Sequence, residues 1–334
     1  MKQTERKQCE MCHKEFTPSA YTRHLQRKTP CTTQTTFYPK PLIKWVGGKT
    51  QILDILMDSF PKEMNHYHEI FLGGGSVLLA LLHQVRCGSI KVQGKIHAYD
   101  LNEPLIYVYK NIQSRPQEVY DCIEKRIREL NECGEGELNR EPTTLEEAMV
   151  CKENYYYWSR RCYNQLTADE KKGVEGSALF IFLNKTCFRG VFRVGPNGFN
   201  VPYGHYPNPE IINREHLEEI HRLIQPVLFE CCDFNTSLSR VCKGDFVYLD
   251  PPYAPETETS FVGYTELGFN MELHETLFQK IKTLPCKMMM SNADVSFVRT
   301  HFKDTYTIKS VLCKRSIHSK NPGAKAKEVL IKND

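Results

Sequence analysis

Long apolar runs are missing from this 334-residue chain. A membrane-spanning helix needs roughly 18 consecutive apolar residues. The best candidate, residues 71–85, is interrupted by three glycines, a serine, a histidine and a glutamine. The first ten residues, MKQTERKQCE, are polar, so no secretory signal is expected. A strong charge of one sign is missing too: 44 Lys and Arg face 40 Asp and Glu, a net of +4. Internal repeats of roughly 20–50 residues, the mark of solenoids and propellers, are absent. Apolar content of 40% and charged content of 25% are ordinary for a globular protein of about two domains. They exclude a largely disordered or fibrous chain. Without a secretory signal, the 14 cysteines read as reduced thiols and candidate metal ligands rather than a disulfide frame.

The small net charge is unevenly spread. Residues 1–44 carry +6 and the remaining 290 carry −2, yet 309–334 alone carry +5. Two basic ends on a near-neutral body fit an anionic partner touched at defined places; plain solubility charge fits equally well.

The first 36 residues are poor in aliphatics and dense in Cys, His, Lys and Arg, and the chain changes character near Pro39. Residues 51–60 have helical periodicity, 68–72 (HEIFL) read as a buried strand, and 73–75 form a glycine turn. An apolar helix follows over 76–85, with Ser76 as its expected cap. A second strand, 95–99, ends at Asp100. Strand, turn, helix and strand make a βαβ unit. Residues 117–130, 148–165 and 178–185 read as helices and 131–144 as a loop. The stretch 186–206, rich in Gly, Pro and aromatics, reads as a hairpin or long loop. Buried-strand runs resume at 227–229 and 246–249. A helix over 271–281 and strands over 287–290, 305–312 and 328–331 complete the pattern. One α/β domain is thus expected, split by an insertion over 104–230.

Asp250-Pro251-Pro252-Tyr253 directly follows the strand FVYL. Ligands of open α/β sheets bind beyond the carboxyl ends of strands. Prolines fix the backbone there and withhold N–H groups, leaving carbonyls free to accept. A carboxylate beside a prolyl carbonyl is a double acceptor suited to an exocyclic amine, and the tyrosine offers a stacking face. The turn at Phe71, Gly73 and Gly75 lets backbone approach a ligand closely, although the G-x-G-x-x-G fingerprint is incomplete. A plain structural turn accounts for it equally well. Asp100, at the end of the next strand, suits ribose hydroxyls. Trp45 and Lys49 suit packing and a ligand carboxylate, or simply a core-capping Trp and a surface Lys.

Lys44-Trp45-x-Gly-Gly-Lys49, Phe71-x-Gly-Gly-Gly and Asp250-Pro-Pro-Tyr253, in that order around an insertion, resemble the Dam-type (D12 class, alpha group) DNA adenine-N6 methyltransferases. Two further stretches share the resemblance, Asn184 to Arg193 with Phe199 to Tyr206, and Lys314 to Ile317. It spans residues 39–332.

The resemblance implies a Rossmann-like methyltransferase sheet over 37–103 and 231–334. It also implies a mostly helical target-recognition insertion over 104–230, carrying a DNA-reading hairpin at about 186–206. The implied cofactor is S-adenosylmethionine, bordered by Trp45 and Lys49, with its methionine end at Phe71, Gly73 and Gly75. Its ribose would meet Asp100 and its adenine Asp233 and Phe234. Asp250, Pro251, Pro252 and Tyr253 would grip the target base. Phe188, Arg189, Arg193, Asn200, Pro202 and Tyr206 would contact double-stranded DNA, with Phe188 as a wedge and Arg193 on a guanine. Arg189 stands where many members carry Asn. GATC-like sites follow from the resemblance, as do a monomer on DNA and an intracellular, DNA-containing compartment. Methylation of cytosine N4 or of RNA adenine, or a catalytically dead DNA-binding protein, are the rival readings.

Residues 1–36 hold Cys9-x2-Cys12-x11-His24-x6-Cys31, near the spacing of a small ββα finger. That donor set suits structural Zn2+. An accessory DNA clamp or a protein-binding finger both fit, and so does an unliganded tail.

Overall fold

The computed structural model describes residues 7–8, 15–25, 37–255, 269–314 and 325–333, and it divides after Tyr38 into two units. In the first unit, strands Lys7–Gln8 and Glu15–Phe16 pair antiparallel, and helix Pro18–Leu25 follows. Phe16 stacks on His24 at 4.3 Å, and His24 is buried. The expected ligands Cys9, Cys12 and Cys31 lie outside the described residues. Among the described residues, no group of three or more His, Cys, Asp or Glu is arranged to hold a metal.

The second unit is built on a seven-stranded sheet. Its order is Thr307–Lys314, Lys325–Lys332, Lys287–Ala293, Phe246–Leu249, Tyr67–Glu69, Ile96–Asp100, Val227–Cys231. The last five are mutually parallel, and Lys325–Lys332 runs antiparallel to both its neighbours. Parallel strands need both faces covered, so they read as unbroken apolar runs. Phe246–Leu249 (FVYL) is buried at all four positions. Val247, Leu249, Met288, Met290, Val329 and Ile331 share one core with helices Phe234–Leu238, Met271–Lys282 and Ser296–Phe302.

Tyr67–Glu69, first of the seven in the chain, lies inside the sheet. The next strand, Ile96–Asp100, pairs on one side of it and Phe246–Leu249 on the other. The order therefore reverses between Tyr67–Glu69 and Phe246–Leu249, and such a switch point opens a crevice at the carboxyl ends.

The insertion is helical, with Pro116–Glu132, Lys152–Gln165 and Val174–Thr186 packed together. Val174–Thr186 is buried on nearly every side, as expected of a helix apolar all round. Strand Val227–Cys231, read from the sequence over 227–229, runs across the expected insertion boundary at 230 and pairs with Ile96–Asp100. Helix Glu103–Ser114 packs on that same pair of strands. The Lys-rich end forms paired strands, and Thr307–Lys314 is the sheet edge. Lysine on an edge strand discourages pairing with another chain. Among the described residues no helix is long and apolar enough to cross a membrane.

Candidate active site

The carboxyl ends of Phe246–Leu249, Tyr67–Glu69 and Ile96–Asp100 deliver Asp250, the 73–75 glycine turn and Asp100 to the switch point. Asp250 Oδ2 is 2.7 Å from Lys49 Nζ, and the Asp250 side chain is 20% exposed. Oδ1 is buried and, among the described residues, has no hydrogen-bond partner. Burial pushes this carboxyl up to about 6, against the pull of Lys49. Pro251 is buried behind it, and Pro252 is exposed. The Tyr253 hydroxyl donates to Glu328 Oε2 at 2.7 Å, and Lys49 Nζ lies 5.0 Å from the Tyr253 ring centre. The Ala254 N–H donates to Asn292 Oδ1 at 3.0 Å. The loop is thus tied to Lys287–Ala293 and Lys325–Lys332 and cannot swing freely.

Lys49 differs from its expected role as a partner for a ligand carboxylate. It is 3% exposed, its N–H donates to Ser76 Oγ at 3.1 Å, and its ammonium is engaged by Asp250. Ser76 differs too. The helix Ser76–Arg86 is capped by Gly75, whose φ of 72° is open to glycine at low cost, so the Ser76 hydroxyl serves Lys49 instead.

Gly73 has φ 50° and donates its N–H to Asp100 Oδ2 at 2.9 Å, while Asn102 N–H reaches Oδ1 at 2.9 Å. A side chain at Gly73 or Gly74 would start 2.8 Å from Trp45. Trp45 therefore lies against this turn, and on its other contacts it stacks with Phe192 at 6.0 Å and Phe180 at 6.5 Å. Burial pushes Asp100 up, partly offset by its backbone N–H donors. Asp233 caps helix Phe234–Leu238 by accepting the Thr236 N–H at 2.8 Å. Phe234 is buried beside Phe71 at 6.2 Å.

The hairpin region contains a single turn at Phe188–Gly190 and the short pair Val194–Gly195 with Gly198–Phe199. Phe188 is 48% exposed, and its N–H donates to the Pro202 carbonyl at 2.8 Å. Exposed Arg189 sits at φ 57°, its N–H donating to the Tyr206 hydroxyl at 2.9 Å. Exposed Arg193 is aimed by Asn200: Nε reaches Asn200 Oδ1 at 2.6 Å.

Three residues escape the sequence reading. Glu69, buried at the end of its strand, accepts from the Tyr67 hydroxyl at 2.7 Å, and burial pushes it up to about 8. An acid inside the apolar run HEIFL is the available signal. Glu328 stands as the single acid in KAKEVLIK. Asn184, 2% exposed, opens the stretch Asn184–Arg193 that shares the family resemblance, but the resemblance gives it no role.

A family description, D12 class N6 adenine-specific DNA methyltransferase, matches residues 45–317. The chain is 36% identical over 311 residues to the type II methyltransferase M.MjaIII of Methanocaldococcus jannaschii, covering 88% of this chain and 99% of that one. It is 29% identical over 302 residues to the type II methyltransferase M1.LlaDCHI of Lactococcus lactis subsp. cremoris, covering 88% and 95%. It is also 29% identical over 294 residues to a DNA adenine methylase of Haemophilus influenzae, covering 86% and 91%. The chain belongs to the D12 class of N6 adenine-specific DNA methyltransferases.

Proposed function

We propose that the chain methylates adenine N6 at defined sites in double-stranded DNA, using S-adenosylmethionine, on a base flipped out of the helix. One observation carries this reading: the buried Asp250 Oδ1 at the switch point, which has no partner among the described residues; the carbonyl of Pro251, next in the chain, is the proposed second acceptor. The two acceptors match the two N–H donors of an exocyclic amine. An adenine inside a duplex is out of reach, and extruding it costs a few kcal/mol. Tyr253, held by Glu328, recovers part of that cost by stacking.

The residues fit the cofactor. The left-handed turn at Gly73 and Gly75 admits close approach, and each Asp100 oxygen keeps a lone pair for a hydroxyl. When bound, the cofactor supplies an electrophilic methyl group on a positively charged sulfur. The protein's part is orientation. Asp250 and the Pro251 carbonyl hold both N6 hydrogens and favour a pyramidal nitrogen whose lone pair faces the methyl carbon. The amine is too weak an acid for Asp250 to ionise first. With the methyl group supplied by the bound cofactor, Asp250 would take up the N6 proton once the amine had been alkylated. Positioning of this kind is worth several kcal/mol of barrier.

Site choice we assign to the hairpin, with Arg193 on a guanine and Phe188 wedged where the base leaves. GATC-containing duplexes are the first to test. For the N-terminal unit we propose structural Zn2+ on Cys9, Cys12, His24 and Cys31, supported by the buried His24 on a helix after a two-stranded hairpin. A unit this small has little core, and a metal would supply much of its folding energy. Incubating the full chain with labelled S-adenosylmethionine and duplex DNA, then separating nucleosides by mass, tests the chemistry. N6-methyl-2′-deoxyadenosine from duplex DNA is expected; N4-methyl-2′-deoxycytidine alone, or label only in RNA, overturns it. Zinc analysis of the same sample tests the metal.

A further inference from the structure

Lys44 and Gly190 meet through one buried side chain. Asn184, near the end of helix Val174–Thr186, accepts the Lys44 N–H on Oδ1 at 2.8 Å. Its Nδ2 donates to the Lys44 carbonyl at 2.8 Å and to the Gly190 carbonyl at 3.1 Å. A helix-terminal Asn that served only as a cap would bond its own element. This one spends two of three bonds on a residue 140 positions away.

The approach is close. Gly190 has φ 65°, and Lys44 Cβ and Cδ occupy the space a side chain there would need. Lys44 Nζ lies 4.1 Å from the ring centre of Tyr206, whose hydroxyl accepts the Arg189 N–H. The next residue, Trp45, stacks on Phe192. Four residues further on, Lys49 ion-pairs with Asp250. Residues 44–49 are therefore a strap, with one end sewn to the hairpin and the other gripping the acceptor carboxylate.

We infer that Asn184 is a positioning residue that couples DNA reading by the hairpin to the setting of Asp250 through this strap. The inference rests on the hairpin reading proposed above. A strained or displaced hairpin moves Lys44, the strap transmits the shift to Lys49, and Asp250 loses its fixed counter-charge. A misplacement of about 1 Å at a reacting centre costs on the order of 100-fold in rate. A wrong DNA site would thus be penalised in turnover as well as in binding.

The test compares Asn184→Ala and Asn184→Asp with the unaltered full chain, after sequencing of methylated DNA has defined its preferred site. Asp keeps the acceptor for Lys44 N–H but faces both carbonyls with a carboxylate. Two readouts are needed. The first is the ratio of kcat/KM on the preferred duplex to that on single-base variants. The second is the acid limb of kcat/KM, governed by Asp250, which faces Lys49, Glu69, Glu328, Tyr248 and Tyr253.

The ratio should fall about tenfold and the limb should move upward, because Lys49 no longer holds Asp250 down. A ratio or a limb that stays put overturns the coupling. Hydrogen exchange on the unaltered chain gives a measure that needs no variant. Duplex should slow exchange over 186–206 and 44–49 together; slowing of 186–206 alone overturns the coupling. Arg193→Ala separates the two levels. If it keeps full base preference, the hairpin reading falls. If it relaxes preference while the Asn184 variants do not, the coupling alone falls.

Discussion

Two aspartates flank the same four-residue strand, Phe246–Leu249, and they are treated in opposite ways. Asp245, before the strand, is 3% exposed. Its Oδ1 accepts from Asn65 Nδ2 at 3.1 Å and His66 N–H at 3.0 Å, and its Oδ2 from Cys242 N–H at 2.8 Å, with His68 Nε2 at 3.3 Å. Burial pushes its carboxyl up, but the Cys242 and His66 N–H groups outweigh that and hold it below the usual range. Asp250, after the strand, has one oxygen on Lys49 and the other without a partner, and it is pushed up to about 6. A buried acceptor left open costs stability. Both Asp245 oxygens are filled at the amino end of the strand, while among the described residues Asp250 Oδ1 has no partner at the carboxyl end, where the topology opens a crevice. The first aspartate is tied into the fold; the second keeps the open oxygen on which the proposed function rests.

Substitution should separate the two most strongly. Asp250→Ala should lower methyl transfer roughly 1000-fold or more while duplex affinity stays within about twofold, because a preorganised polar partner acts on the reacting group. Filter binding and label transfer on one preparation check it, and retained turnover would remove Asp250 from the chemistry. Asp245→Ala should do the reverse. It removes the acceptor of buried His68 and of the part-buried N–H groups of Asn65, His66 and Cys242, and should cost about 1–3 kcal/mol of stability, with turnover per folded molecule unchanged. Denaturant melts and active-site titration decide; an unchanged midpoint would make the amino-end network ornamental.

Acid should sharpen the contrast next. On the proposed reading Asp250 acts as a carboxylate, so kcat/KM should fall below about pH 6, approaching tenfold per unit. Lys49→Met should move that limb upward, since Lys49 is the group holding the pKa down. A limb centred near pH 4 in the unaltered chain would contradict the burial of Asp250. The stability signs are opposite. Asp250, raised in the fold, binds its proton more tightly there, so its contribution is lost as pH rises through about 6. Asp245, held low, contributes above the ordinary carboxyl range and loses that contribution as pH falls.

The carboxyl-end site was more legible in the sequence than the ties around it. FVYL followed by Asp-Pro-Pro-Tyr reads as buried strand and acceptor loop because both signals are local, and Phe246–Leu249 is the strand observed. The glycine turn was legible for the same reason, though Gly75 rather than Ser76 caps the helix. Helices Arg214–Ile224 and Ser296–Phe302 went unread, as did Glu103–Ser114 despite its Asn102 cap and early proline. What no local pattern reveals is pairing across distance. Lys49 with Asp250, Tyr253 with Glu328 and Asn184 with Lys44 join residues far apart in the chain. Each depends on the order of strands, which follows only once the sheet is assembled.

Glu69 offers the finest probe of the comparison. It sits on the strand beside Phe246–Leu249, with Tyr248, two residues before Asp250, as its register partner. It is 2% exposed, and burial pushes it up to about 8, partly offset by the Tyr67 hydroxyl. Burial therefore favours its neutral form at pH 7, which spares Asp250 the charge of one of its two acidic neighbours, Glu69 and Glu328. Because the folded state holds this proton more tightly than the unfolded chain, its contribution to stability declines as pH climbs from the ordinary carboxyl value of 4.5 toward 8. Glu69→Gln keeps shape and neutrality. It should leave turnover at pH 7 within about threefold and flatten the fall in Tm between those pH values. An unflattened slope would mean that Glu69 is ionised in the folded protein, and the pocket would then hold two adjacent carboxylates against Lys49 alone.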